Sequence, residues 1–257
     1  MICVGTDLEM SKKAIELAEK YEGPPSPRQR RGYGRASIWA TVGCHPNELI
    51  KELQIADVKS RGDHVPFRDY EELAKHPKVV AIGETGLDYY RTPEKEKQEK
   101  QKEFFQQFLE LAVGTKKPAV IHCRNAYDDL ISLLNAKRYP LNAVIHSFTG
   151  SFELARKFLD LDLYLGLNGI ITFPPSHKAM EGQAPTDLEK TVTNIPLNRI
   201  LIETDAPYLA PVPHRGKRNE PLYVEFVARR IAEIKKVSFE EVVEKTRENT
   251  KKLFKLG

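Results

Sequence analysis

The sequence predicts an α/β fold of parallel strands and crossover helices, one strand short of a closed (β/α) barrel. Three observations predict it. Short apolar runs alternate with longer segments of helical period along the whole chain. That order implies βαβ crossovers and therefore parallel strands. The runs number seven, near residues 2, 40, 81, 120, 144, 165 and 201, where a closed barrel has eight. The chain starts directly on a strand, so the one not found is expected to be the first. Five of the runs deliver a His or a carboxylate at the same end. In a parallel sheet those ends share one face, the face where ligands bind.

Val79–Tyr90 shows the pattern most clearly. Val79, Val80 and Ile82 signal a buried strand, Gly83 and Gly86 are read as its break, and Glu84 and Asp88 follow. Trp39–Val42 leads into Gly43, Cys44 and His45. Ala119–Ile121 ends at His122, Ala143–Ile145 ends at His146, and Ile200–Ile202 is followed by Glu203 and Asp205.

The other elements follow in order. Met1–Gly5 reads as a strand, and Asp7 as the cap of a helix with Ala14, Leu17 and Ala18 at helical spacing. Residues 21–35 hold three prolines and four arginines and read as a basic surface loop rather than a nucleic-acid contact. Residues 54–68 read as a second, irregular insertion. Asp69–Lys75 is a short helix closed by His76, a surface residue. Pro93–Thr115 is a long helix with an apolar face of Phe104, Phe105, Phe108, Leu109, Leu111 and Ala112. Helices over Tyr127–Ala136, Phe152–Leu159 and Asp187–Asn194 separate the later strands, with Ser151 capping the second and 173–186 as loop. Past residue 207 a proline-rich loop carries the basic run His214–Arg218. Two helices close the chain, the second opened by the capping box Ser238-x-x-Glu241. The whole reads as a single domain, 1–257.

Composition narrows the class. Of 257 residues, 40% are hydrophobic and 30% charged, as in ordinary soluble enzymes. No apolar run reaches the roughly 20 residues that span a membrane, and no signal peptide is expected at Met1. Cys3, Cys44 and Cys123 lack framework spacing and read as reduced thiols of a cytoplasmic or nuclear protein. The net charge of +4 hints only weakly at a polyanionic partner.

Glu84, His122, His146 and Asp205 form the expected core constellation. Two imidazoles and two carboxylates suit Zn²⁺, Mn²⁺ or a similar divalent cation. A bridging carboxylate, best placed at Glu84, allows two ions roughly 3.5–4 Å apart. A lone strand-end His is more often structural, and Asp205 before Ala-Pro is also a turn cap. Two His after apolar pairs on neighbouring strands favour the metal.

Seven motifs then occur in order: Gly43-Cys44-His45-Pro46, Gly83-Glu84-x-Gly86-Leu87-Asp88, His122-Cys123-Arg124, His146-Ser147-Phe148, Gly166-x-Asn168-Gly169, Glu203-Thr204-Asp205-Ala206-Pro207 and Arg218-Asn219-Glu220-Pro221. Together they resemble the TatD-type deoxyribonuclease family of metal-dependent hydrolases. The resemblance runs from about Met1 to the C-terminus, interrupted at 21–35 and 54–68. It implies a TIM barrel, one or two divalent ions (Mg²⁺, Mn²⁺ or Zn²⁺) and hydrolysis of DNA, single strands foremost. It implies that Glu84 bridges, that His122 and His146 bind one ion and Asp205 the other, and that His45, Arg124 and Arg218 line the substrate cleft. Asp205 and Glu84 are the expected catalytic residues, Asp205 as proton acceptor. One departure is visible: the family opens on a strand ending in His-x-His or a relative of it, and this sequence has none. A degenerate member that holds one ion and binds nucleic acid or protein is therefore an alternative. An amide or ester hydrolase on the same scaffold is another.

Overall fold

The structure, a computed structural model, describes residues 1–21, 37–51, 67–136, 141–174 and 185–256. The chain divides into two units, Met1–Asn142 and Ala143–Gly257. Most of the two expected insertions and of the loop at 173–186 lies outside the described residues.

In the first unit, β1 (Ile2–Cys3), β2 (Trp39–Val42), β3 (Val79–Asp88) and β4 (Ala119–Arg124) pair in parallel and in chain order. Asp7 caps the helix Leu8–Lys20 as expected, its Oδ1 accepting the Met10 N–H at 2.6 Å. The helix Lys95–Thr115 lays Phe105, Phe108, Leu109 and Ala112 into the core. There Phe108 meets Tyr70 edge-on, ring centroids 5.2 Å apart.

One expectation is corrected here. The glycines at 83 and 86 do not end β3, which runs on through Glu84 to Asp88. They allow close approach to β4 instead. A Cβ at Gly83 would stand 2.3 Å from the Val120 carbonyl oxygen, and one at Gly86 2.0 Å from that of His122. Both have positive φ, +142° and +149°, where a side chain is strained. The pairing register shifts between Ile82 and Thr85, as at a bulge. Glu84, Gly86 and Asp88 thus stand at alternate positions of one strand. Likewise β4 continues past His122 to Arg124, two residues on and so on the same face.

In the second unit, β5 (Ala143–Ile145), β6 (Tyr164–Leu167) and β7 (Ile200–Ile202) pair in parallel, again in chain order. Ser151 and Ser238 cap their helices, accepting from Leu154 N at 3.3 Å and Glu241 N at 3.1 Å. The helix Phe239–Phe254 is anchored at β7 by buried Asn249, whose Nδ2 donates to the Leu197 and Ile200 carbonyls. Phe148 and Phe158 are both fully buried and meet edge-on. Among the described residues no helix is long and apolar enough to cross a membrane.

Candidate metal centre

In the first unit four titratable side chains converge. His45 follows β2, with its N–H on the Thr6 carbonyl at 2.7 Å. Glu84 and Asp88 come from β3 and His122 from β4. His122 Nδ1 lies 2.9 Å from Glu84 Oε1, and its Nε2 lies 3.5 Å from Asp88 Oδ2. Glu84 Oε1 also lies 3.8 Å from His45 Nε2, and the two imidazoles meet edge-on at 4.3 Å.

The hydrogen bonds assign the ring nitrogens. Nδ1 of His122 donates to the Glu84 carboxylate, which leaves Nε2 to face Asp88. That nitrogen is buried and has no hydrogen-bond partner among the described residues. A carboxylate on one imidazole nitrogen with the other nitrogen presented inward is the arrangement of a metal-ligating histidine. Asp88 is itself fixed: its Oδ1 accepts the Arg91 N–H at 2.9 Å, and its Oδ2 an Asn47 Nδ2–H at 3.1 Å. Fully buried Gln101 accepts the Asp88 N–H at 2.9 Å and so fixes the end of β3. His45, Asp88 and His122 each bring a ligand atom within 4.8 Å of the others. The residues therefore fit a divalent cation. His45 is the least fitted of the three. Its Nδ1 accepts the Asn47 N–H at 3.1 Å, so the neutral ring carries its proton on Nε2 and is set to donate.

The charge states agree with this. Burial and the neighbouring His122 charge push His45 down to about 4, leaving it neutral at pH 7. Burial works to raise Asp88, but the neighbouring His122 imidazole and the hydrogen bonds from the Arg91 N–H and Asn47 outweigh it and hold the carboxyl at about 2. For His122 burial works downward, and Asp88 and Glu84 together raise it. The negative field that retains a proton there also favours a divalent cation.

In the second unit the centre of interest is His146, at the end of β5. Its Nδ1 lies 2.8 Å from Glu203 Oε2, and its Nε2 lies 3.1 Å from Asp205 Oδ1. Glu203 Oε1 accepts the Ser147 N–H at 2.6 Å. Asn168 Nδ2 donates to Ser147 Oγ at 2.7 Å. Asn219, only 2% exposed, donates to the carbonyls on either side of Asp205: to Thr204 O, and to Tyr208 O at 2.6 Å.

The structure thus places Glu84 with His122, and His146 with Asp205. Arg124 stacks its guanidinium over Tyr90, 3.7 Å from the ring centroid, and Arg218 is exposed. Asp88 and Glu203 were not among the expected ligands, although the alternation of 84 with 88, and of 203 with 205, was there to be read. Gln101 and Asn47 carried no such signal.

A strand-borne cluster of imidazoles and carboxylates on a parallel α/β frame defines a metal-dependent hydrolase type of site. The comparisons identify the class further. The pattern of the family described as TatD related DNase matches residues 1–255. The chain belongs to that family of metal-dependent hydrolases. It is 37% identical over 260 residues to the uncharacterized metal-dependent hydrolase YabD of Bacillus subtilis, covering 100% of this chain and 88% of that one. It is 32% identical over 263 residues to the 3'-5' ssDNA/RNA exonuclease TatD of Edwardsiella piscicida, covering 100% and 88%. Among solved structures, the TatD homolog YJJV of Escherichia coli superposes with a TM-score of 0.78 at 25% identity, covering 100% of this chain and 86% of that one. The fold is accordingly TIM-like, with seven strands among the described residues.

Proposed function

We propose that this chain is a divalent-metal-dependent nuclease that hydrolyses phosphodiester bonds of DNA, single strands foremost. The observation that carries the reading is the His122 imidazole held between two carboxylates, with its buried Nε2 turned to Asp88. Support comes from the family and from the relative named as an exonuclease on single-stranded DNA and RNA.

Glu84 and His122 of the first unit and His146 and Asp205 of the second are the proposed metal-holding residues, and Asp88 joins His122 on the geometry of the first unit. Mg²⁺, Mn²⁺ and Zn²⁺ all suit such a set. A bound divalent cation supplies Lewis-acid polarisation of the phosphodiester and acidifies water. The side chains do the rest. Asp205, held through Oδ1 by His146, takes the water proton on Oδ2. His45 donates from Nε2 to a phosphate oxygen. Arg124, its guanidinium plane set by Tyr90, and exposed Arg218 neutralise the remaining phosphate charge.

The test is turnover of a labelled single-stranded oligonucleotide with Mg²⁺ or Mn²⁺, with bound metal counted, beside a Glu84→Ala control. Cleavage that vanishes in the control supports the reading. A folded chain that holds metal and cleaves nothing overturns it, and favours a non-catalytic nucleic-acid-binding role.

A further inference from the structure

We propose that Tyr208, with Arg218 beside it, is a nucleotide subsite: Tyr208 stacks on an unpaired base and Arg218 meets the adjoining phosphate. The proposal deepens the nuclease reading above and rests on it.

Tyr208 is 71% exposed, while Ala210, two residues on, is buried. An aromatic ring normally buries most of its surface, so a presented one needs a reason. This ring is presented from a fixed backbone. The Tyr208 N–H donates to the Asp205 carbonyl at 2.8 Å, and the Tyr208 carbonyl accepts from Asn219 Nδ2 at 2.6 Å. The Asn219 N–H donates to the Pro207 carbonyl at 3.0 Å. With the main chain held on both sides, only two side-chain torsions are left to order, so stacking on this ring costs little entropy.

The same buried Asn219 brings a cation-bearing residue to the Tyr208 loop. Arg218 precedes it directly, so the bonds from Asn219 to Pro207 and Tyr208 carry Arg218 onto the Tyr208 loop. Arg215, Lys217 and Arg218 are all exposed and make this loop basic. Leu222, 74% exposed, adds apolar surface close by in sequence. An aromatic face next to cations matches a base with its phosphate. Only an unpaired base offers its face, so the subsite favours single strands or frayed ends. Stacking also tolerates any sequence. Asp205 lies three residues from the ring, which puts the held nucleotide at the reacting end of the substrate.

The test is equilibrium binding of a labelled dT oligonucleotide and of an abasic oligonucleotide of equal length, with metal chelated to prevent cleavage. Tyr208→Ala should weaken dT binding about tenfold and leave abasic binding unchanged. Tyr208→Trp should restore it. Arg218→Ala should weaken both and lower the salt dependence by about one counterion. Thermal unfolding of the Tyr208 variants should match the parent, since the side chain is exposed. Equal dT binding by parent and Tyr208→Ala overturns the subsite, and so does equal loss on both oligonucleotides. A parent chain that binds and cleaves single strands while the variant is unaltered sinks the subsite alone. A parent chain that binds neither oligonucleotide sinks the nuclease reading with it.

Discussion

His122 Nδ1 donates to Glu84 Oε1 at 2.9 Å, and that single bond decides which imidazole nitrogen faces Asp88. The carboxylate fixes both the tautomer and the ring plane. Remove it and the ring is free to present either nitrogen, with a buried polar atom left to satisfy.

Glu84→Gln tests this directly. The amide keeps the shape but removes the charge that orders the imidazole. Metal affinity should fall by about 10- to 100-fold, the usual cost of losing such a partner, and Glu84→Ala should abolish turnover. Titration of Mn²⁺ with the apoprotein reads the first and oligonucleotide cleavage the second. A Glu84→Ala chain with full activity would refute the site.

The acid limb of stability should belong to His45. Its folded pKa is about 4, below the ordinary 6.5. The unfolded chain therefore binds more protons between those values, and stability falls as pH drops through that window. At about 1.4 kcal/mol per pH unit, the loss for the chelated protein is on the order of 3 kcal/mol. His122 does not offset it. A raised folded pKa gives stability that is complete below the unfolded value and is lost only as pH rises. Asp88, held at about 2, begins to matter only below its unfolded value of 3.8. Urea unfolding at pH 6 and pH 4.5, both below the unfolded value of His122, checks the sign, and His45→Gln should flatten the slope.

Why some of this was legible in the sequence and some was not comes down to range. The seven strands, the helices between them and the caps at Asp7, Ser151 and Ser238 are local: a period, or a side chain three residues from an amide. The pairing of Glu84 with His122 was legible because both follow apolar runs. Glycine misled at 83 and 86, since a close backbone approach and a strand break leave the same letter. Gln101 was invisible for a different reason. Nothing in a helix marks one polar residue as buried until the neighbouring strand end needs an acceptor for the Asp88 N–H.

Gly86→Ala tests the glycine reading. Its Cβ would lie 2.0 Å from the His122 carbonyl oxygen at a φ of +149°. The strain and the clash together should cost on the order of 3 kcal/mol and push β4 away from β3. Metal affinity should fall with stability, because His122 sits on the displaced strand. Gly114→Ala is the control: it is a helical position with nothing within 4 Å, and it should be neutral or slightly stabilising. Thermal unfolding of the two variants side by side separates a close-approach glycine from an incidental one. A Gly86→Ala chain as stable as the parent would mean that the strands can part without cost.

Asn219→Ala tests the loop that carries Asp205 in the second unit. The carboxamide donates to Thr204 O and Tyr208 O, the carbonyls that bracket Asp205. Asp205 itself sits at a φ of +57°, a conformation the surroundings must hold. Truncation leaves two half-buried carbonyls without this donor, at about 1–3 kcal/mol, and frees the loop that sets the carboxylate against His146. Stability should therefore drop by about 2 kcal/mol. Turnover at saturating substrate should drop by more than that loss of folded protein explains, because Oδ1 no longer stays 3.1 Å from His146 Nε2. Asn219→Asp keeps the size but cannot donate when ionised, so it should behave like Ala at pH 7. Single-turnover cleavage under conditions where every variant is fully folded isolates the positional part. If kcat survives there and only stability has fallen, Asn219 holds the loop together without holding Asp205 in place.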